Sequence, residues 1–422
     1  MSIEERLRSA GLPLLPRTAW LEIDTDALSD NLRVVRGLIP AGTRLAAVVK
    51  ADAYGHGLEG TAGTLRAAGA EVLCVATLDE AVALREWGDR GPILLLYTVA
   101  GADVVDAAAA GLELSISSEQ GAAETLSAWH AAQSRVDGLS LRLQLEVETG
   151  MTRDGVVPTA VAAIVARFCA EPGVLVTGLW SHLAEPADRA MSAAQTLALE
   201  GAMHAIRRTG AVRRAGRAEP ITHMASSGGL LAGTAPALSM VRPGLVLYGV
   251  APPDLPLSPE GRLAAEALRP VMSLKARAVR VLDVPTGTGV GYGATWRAER
   301  ASRIATLPLG YGDGYARTSA PGAEALVRGR RVPVVGLISM DALSIDVTDV
   351  PGMGYDDEVV LLGRQGDERI LATDLARRRN TIAWEVLSGM ARRIPRVYDA
   401  ATGPKGIRTL GGGSQNGEPA VS

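Results

Sequence analysis

The chain has 422 residues, 47% apolar and 21% charged, with 43 Lys and Arg against 46 Asp and Glu for a formal charge of −3. That near-balance, without a basic block, argues against nucleic acid as a partner, and no run approaches the roughly 20 apolar residues of a membrane span. Only two cysteines are present, Cys74 and Cys169, both in apolar runs. A disulfide framework or a cysteine zinc site is therefore not expected, nor any other metal centre, and a reduced, cytoplasmic setting is. The opening MSIEERLRSAGLPLLP mixes acids with bases and lacks a signal-peptide core.

At this length two domains are expected, each able to bury its own core. Residues 1–17 read as an extension outside the core. From there to residue 252, short apolar runs alternate with Ala-rich helical stretches. Arg44 to Lys50, Glu71 to Thr77, Pro92 to Thr98, Leu112 to Ser118, Leu141 to Thr149, Val176 to Leu183, Ile221 to Ser226 and Val241 to Gly249 read as eight strands. Continuously apolar strands separated by helices mean a parallel sheet covered on both faces, and eight such units predict a (β/α)8 barrel. The first strand of this region is free to join the domain that follows. Residues 253–401 change texture to strand-like runs such as VMSLKARAVRVLDV, with turn signals between them, and read as a mostly β domain. Residues 402–422, ending GGGSQNGEPAVS, have linker composition and read as a disordered tail.

Reactive groups in barrels come from the C-terminal ends of strands. Lys50 ends the first run and is followed by Tyr54 and His56 among glycines. A lysine behind an apolar strand is a candidate for Schiff-base chemistry. Arg153 follows the fifth strand, His182 closes the sixth, Ser226 and Ser227 follow the seventh, and Arg242 begins the eighth. A lysine, two arginines and a Ser-Gly loop around one mouth suggest a phosphorylated carbonyl cofactor. Eight tyrosines stand against one phenylalanine, and four of them, Tyr54, Tyr248, Tyr292 and Tyr311, precede glycine. Tyr248 reads as barrel packing, His56 as an orienting residue for its loop, and His223 as a satisfied core histidine.

The segments AVVKADAYGHG, ETGMTRDG, GLWSHLAE, HMASSG, SMVRPGLVLYG, VGYGATWRA, LPLGYGDGYARTS, VVGLISMDAL, LLGRQGD and RRIPRVY, in that order, resemble the landmarks of the alanine racemase family. The resemblance spans about residues 18 to 398. It implies a pyridoxal 5′-phosphate (PLP) enzyme built as a barrel followed by a β domain, which interconverts L- and D-alanine to supply D-alanine for cell-wall peptide. It also implies a homodimer in which each barrel mouth meets the other subunit's β domain.

Carried over onto this sequence, Lys50 would hold PLP and act as one Cα base, and Tyr292 from the other subunit would be the opposite base. A free phenol titrates near about 10, so Tyr292 needs help near neutrality. The resemblance gives that help to His182, in a chain linking the tyrosine to Arg242. Arg242 would face the pyridine nitrogen without protonating it. Tyr54, Ser227, Gly244 and Leu245 would take the phosphate. The substrate carboxylate would meet Arg153 and the backbone at Met340, with Asp341 beside it and Tyr311 and Arg317 near the entrance.

Three positions depart from the family pattern. Many relatives carry a carbamylated lysine seven residues before the arginine matched by Arg153; here Glu146 stands there. Glu146 supplies an anion directly, so bicarbonate should be dispensable. An entrance tyrosine is replaced by Arg392, and an entrance arginine by Leu337. These changes admit a broader or serine-preferring racemase on the same scaffold. A PLP carrier without catalysis is a further alternative, against which the Tyr292 and Met340 segments speak.

Overall fold

The structure, a computed structural model, describes residues 1–132 and 138–412. Strand β1 (Ala19–Asp24) pairs antiparallel with Met272–Arg277 and parallel with Arg396–Ala400. Both neighbours lie late in the chain, so the first strand does belong to the β domain, and the barrel is inserted after it. Asp24 closes β1 and caps the next helix, its carboxylate accepting from the Ala27 amide at 2.7 Å.

The barrel strands are β2 (Arg44–Val48), β3 (Val72–Val75), β4 (Ile93–Leu95), β5 (Glu113–Ile116), β6 (Leu141–Glu146), β7 (Val174–Trp180), β8 (Ile221–Ser226) and β9 (Met240–Arg242). They form a closed parallel ring in chain order, with β9 returning to β2 through the pairs Arg44 with Met240 and Leu45 with Val241. The strands β3, β4 and β5 are buried at every residue; β3 and β4 are apolar throughout, while β5 buries Glu113 and Ser115 as well.

Two boundaries differ from the sequence expectation in ways that bear on the site. Arg242 is the last residue of β9, not an early one. Pro243 has no N–H to continue the ladder, and the chain turns at Gly244 into the short helical turn Leu245–Tyr248. Arg242 therefore stands at the C-terminal mouth with Lys50.

The tail also begins later than its composition suggested. Gly403–Arg408 forms a strand antiparallel to Arg396–Ala400. Glycine, proline and lysine gave GPKGIR a linker-like texture, yet Ile407 and Arg408 are both buried. The part of the expected tail at 413–422 lies outside the described residues. The N-terminal segment likewise makes a small core of its own. Helix Ile3–Ser9 seats Ile3 and Leu7, with Leu12, against Trp20, Val397 and Ile407. Among the described residues no helix is long and apolar enough to cross a membrane, and no cluster of side chains is suited to a metal ion.

Candidate active site

Lys50 opens a turn of unusual hand. Ala51, Asp52, Ala53 and Tyr54 have φ near +55°, at 55°, 54°, 54° and 53°, and Gly55 follows at 79°. Non-glycine residues avoid this region because Cβ crowds the next carbonyl, at roughly 1–2 kcal/mol each, so four cost roughly 4–8 kcal/mol. The surroundings must hold the turn in place. Glu80, at the start of helix Leu78–Glu86, accepts from the Ala51 amide at 2.6 Å. Its other oxygen accepts from Ala76 at 2.9 Å. His56 is fully buried and points Nδ1 at the carbonyls of Ala53 and Tyr54, at 2.9 and 3.0 Å. Burial pulls its imidazole down to about 4, so the ring is neutral and Nδ1–H donates. The loop-orienting role expected of His56 is what the geometry gives it.

Lys50 stands among cations. Burial lowers its ammonium below the ordinary value, and Arg153 and Arg242 lower it further while Glu80 and Cys74 oppose. His182 is pulled down to about 3 by burial and by Arg242, Arg153 and Lys50. It is neutral, and among the described residues its ring makes no hydrogen bond to Tyr292 or Arg242. Glu146 is pushed up to about 7 by burial, which Arg153 partly offsets. The Arg153 guanidinium stands 3.7 Å from the Glu146 carboxylate.

Arg242 is fully enclosed, and burial lowers it to about 10, so it keeps its proton at neutral pH. Its guanidinium lies over the Trp180 indole at 4.7 Å and donates to the Ser181 carbonyl at 2.7 Å and to His223 Nδ1. An arginine can only donate, so Nδ1 must accept, which puts the His223 proton on Nε2. Nε2 then donates to Gln144 Oε1 at 2.6 Å, and the Gln144 amide donates to Glu113. Thr177 and Arg142 complete the Glu113 carboxylate at 2.9 and 3.1 Å. A directed chain thus crosses the barrel from the mouth to β5. His223 is a core histidine as expected, yet it also orients Arg242, a role the sequence did not disclose because its two partners, Arg242 and Gln144, sit on other strands.

The groups expected to take a phosphate converge. The Tyr54 hydroxyl reaches so close to Gly244 that a Cβ there would lie 2.5 Å from it. Only glycine leaves that cradle open. Burial raises the Tyr54 phenol to about 12, so it remains a donor. Ser227 Oγ accepts from the Gly244 amide at 3.0 Å and the Val246 amide at 3.4 Å, which binds the loop after β8 to that containing Leu245. Tyr248 packs as expected, stacking on Tyr54 at 4.7 Å, and its hydroxyl bonds Val48. A buried phenol donor, a hydroxyl, a glycine-lined cradle, an amine of lowered basicity and an enclosed guanidinium fit a phosphorylated aromatic aldehyde such as PLP.

The remaining candidates lie on the β domain. Tyr292 sits at the tip of the hairpin Gly289–Val290 and Trp296–Arg297 and is 68% exposed. Among the described residues no hydrogen bond joins its side chain to Lys50 or His182. Beside it, Leu337 begins a loop in which the Ser339 and Met340 carbonyls accept from the Tyr311 and Gly312 amides at 3.0 and 2.9 Å. Arg317 donates to Ile338 at 2.8 Å, and Arg393 spans Asp313 and Asp341 at 2.7 and 2.6 Å. Met340, Tyr311 and Arg392 are exposed. The site residues therefore fall in two sets, one around the barrel mouth and one on an exposed face of the β domain. Arg396, Arg408 and Asp52, which brace the Lys50 turn, were not among the sequence candidates.

Comparison with known proteins identifies the family. Residues 23–252 match the family description "Alanine racemase, N-terminal domain" and residues 271–398 match "Alanine racemase, C-terminal domain". The alanine racemase of Desulfovibrio desulfuricans is 38% identical over 387 residues, covering 90% of this chain and 98% of that protein. The solved alanine racemase of Streptomyces coelicolor is 35% identical with a TM-score of 0.79, covering 90% of this chain and 98% of the other. That of Clostridium difficile has a TM-score of 0.84 at 27% identity and covers 94% and 99%.

Proposed function

The chain belongs to the alanine racemase family, enzymes that interconvert L- and D-alanine, and we propose that it does so with PLP held at Lys50 and with Lys50 and the Tyr292 of a second copy as the two proton carriers. Support comes above all from the convergence of Lys50, Arg153, Arg242 and His182 at one barrel mouth, where the two arginines lower both Lys50 and His182. The second domain, with Tyr292 and the Met340 loop, distinguishes this chain from a barrel-only PLP carrier. Buried free thiols at Cys74 and Cys169 suit a reducing cytoplasm.

When bound, PLP supplies an electron sink that acidifies the Cα–H of an amino acid. The protein's part is to hold and move protons. Inversion requires a group on each face of the planar carbon, one to take a proton and the other to return one. Lys50 Nζ, its basicity lowered by burial and two arginines, serves one face. Tyr292 Oη serves the other. Because the Tyr292 set is exposed on one chain and the Lys50 set is gathered on the barrel, a dimer that apposes the two completes the site. Arg242 would face the cofactor's ring nitrogen as a donor that keeps its own proton, which would limit charge withdrawal and favour proton return over side reactions. The His223, Gln144 and Glu113 chain fixes its orientation. Tyr54, Ser227, Gly244 and Leu245 would hold the phosphate, and Arg153 with the Met340 backbone would hold the substrate carboxylate.

Incubated with L-alanine in deuterated water, the enzyme is expected to exchange the Cα proton while optical rotation decays to zero. PLP binding with neither change would leave only a carrier.

Glu146 takes the place of a carbamate as the anion beside Arg153. Activity is expected to be the same with and without bicarbonate; loss on CO₂ removal with recovery on its return would reject this. The Glu146 carboxyl is pushed up to about 7, so its charge is present above that pH and lost as pH falls through it. The KM for alanine should rise as pH drops below this value. Glu146→Gln should show the raised KM at all pH, by roughly three- to tenfold, and remove the step; the range allows for the partial exposure of Arg153.

A further inference from the structure

We propose that Arg408, on the strand Gly403–Arg408 beyond the region matched to the family, is a positioning residue for Lys50 that acts through Asp52. The Arg408 guanidinium meets both Asp52 oxygens, at 2.8 and 2.7 Å. Asp52 lies inside the left-handed turn, two residues after Lys50, and its carboxylate also accepts from the Leu58 amide at 2.9 Å. Pulling on Asp52 therefore fixes both ends of the turn. Arg396, on the other strand of the same hairpin, donates to the Gly55 carbonyl at 3.2 and 3.0 Å. Between them, Tyr398 presses on the loop so closely that a Cβ on Gly57 would lie 2.0 Å from its hydroxyl.

The alternation of the strand gives this clamp its backing. Ile407 points into the small core made with helix Ile3–Ser9, while Arg408 points the opposite way, toward Asp52. Arg6 joins that helix to Glu22 and Asp399, and Glu4 joins it to Arg277. The helix Ile3–Ser9 and the strand Gly403–Arg408 thus back the turn that carries Lys50. Glu80 secures the turn from the barrel side and the terminal hairpin secures it from the β domain.

This rests on reading Lys50 as the cofactor-anchoring lysine, so the experiment includes a readout that needs no cofactor. Amide hydrogen exchange is followed at residues 53–58 in PLP-free protein, with strand β6 as the internal reference, and PLP affinity is measured by protein fluorescence. Arg408→Ala is expected to speed exchange at 53–58 about tenfold relative to β6 and to weaken PLP binding about tenfold, the scale of one charged hydrogen bond. Arg408→Lys should restore most of both. Asp52→Ala, which loses the Leu58 contact as well, should be at least as severe as Arg408→Ala, and the double variant should be no worse than Asp52→Ala alone. If Arg408→Ala does not fold, Asp52→Asn, which keeps the Leu58 contact but loses the charge pairing, should give about a threefold effect at the same amides. Exchange that rises equally in β6, an unchanged PLP affinity, or additive single effects would overturn the proposal. Lys50→Ala protein that binds PLP like the wild type would instead overturn only the anchoring role of Lys50.

Discussion

Lys50→Ala is expected to lose the visible absorbance of lysine-bound PLP and to reduce racemisation by at least about 10⁴-fold. One side chain is asked to do two things, to hold the cofactor covalently and to carry a proton at Cα, and the proton-transfer role alone is worth roughly 10²–10⁴-fold. The environment favours both. Burial, Arg153 and Arg242 all disfavour the ammonium form, so the nucleophilic amine is more accessible at neutral pH than that of a solvated lysine. Lys50→Arg separates charge from chemistry. It keeps a cation at the mouth but cannot give up its proton, so it should be as inactive as Lys50→Ala. Activity above about a hundredth of wild type in either variant would remove Lys50 from the reaction, since such a residue leaves less than the smallest general-base effect.

The barrel was legible because parallel strands covered on both faces need unbroken apolar runs, and the polar residues at their ends stand out against them. Lys50, Arg153, His182 and Ser227 stand out as candidates this way. Arg242 was found too, but at the wrong end of its strand, because VRPGLVLYG is apolar throughout and only Pro243 marks the break. The hand of the Lys50 turn was not legible. Ala-Asp-Ala-Tyr carries no glycine to announce positive φ, and the conformation is imposed by Glu80, Arg396 and Arg408, which are between 28 and 356 residues away from the groups they contact. The same is true of the chain from Arg242 to Glu113. Its members lie on β9, β8, β6 and β5, and a histidine inside an apolar strand looks the same whether or not it orients an arginine. Composition misled at the C-terminus, where a six-residue strand rich in glycine and proline is held by Ile407 and Arg408 rather than by β propensity.

Tyr292→Phe is expected to lower racemisation by roughly 10²–10⁴-fold in both directions while leaving PLP bound, because the phenol supplies one of two proton transfers and no cofactor contact. Exchange should then split by enantiomer. The enantiomer whose Cα proton faces Lys50 should still exchange with deuterated water, and the other should not. Full activity in this variant would reject the two-base assignment. The placement of Tyr292 on an exposed hairpin makes a sharper test possible. If each site combines Lys50 of one chain with Tyr292 of another, Lys50→Ala and Tyr292→Phe chains are each inactive as homodimers. Mixed dimers contain one site with both defects and one site with neither. After unfolding and random reassociation of equal amounts, half of the dimers are mixed and half of their sites are intact, so activity should return to about a quarter of wild type. Sites built within a single chain would recover nothing, because every chain in the mixture carries a defect. Recovery to a quarter would place Tyr292 across the interface and make the dimer itself the unit of catalysis.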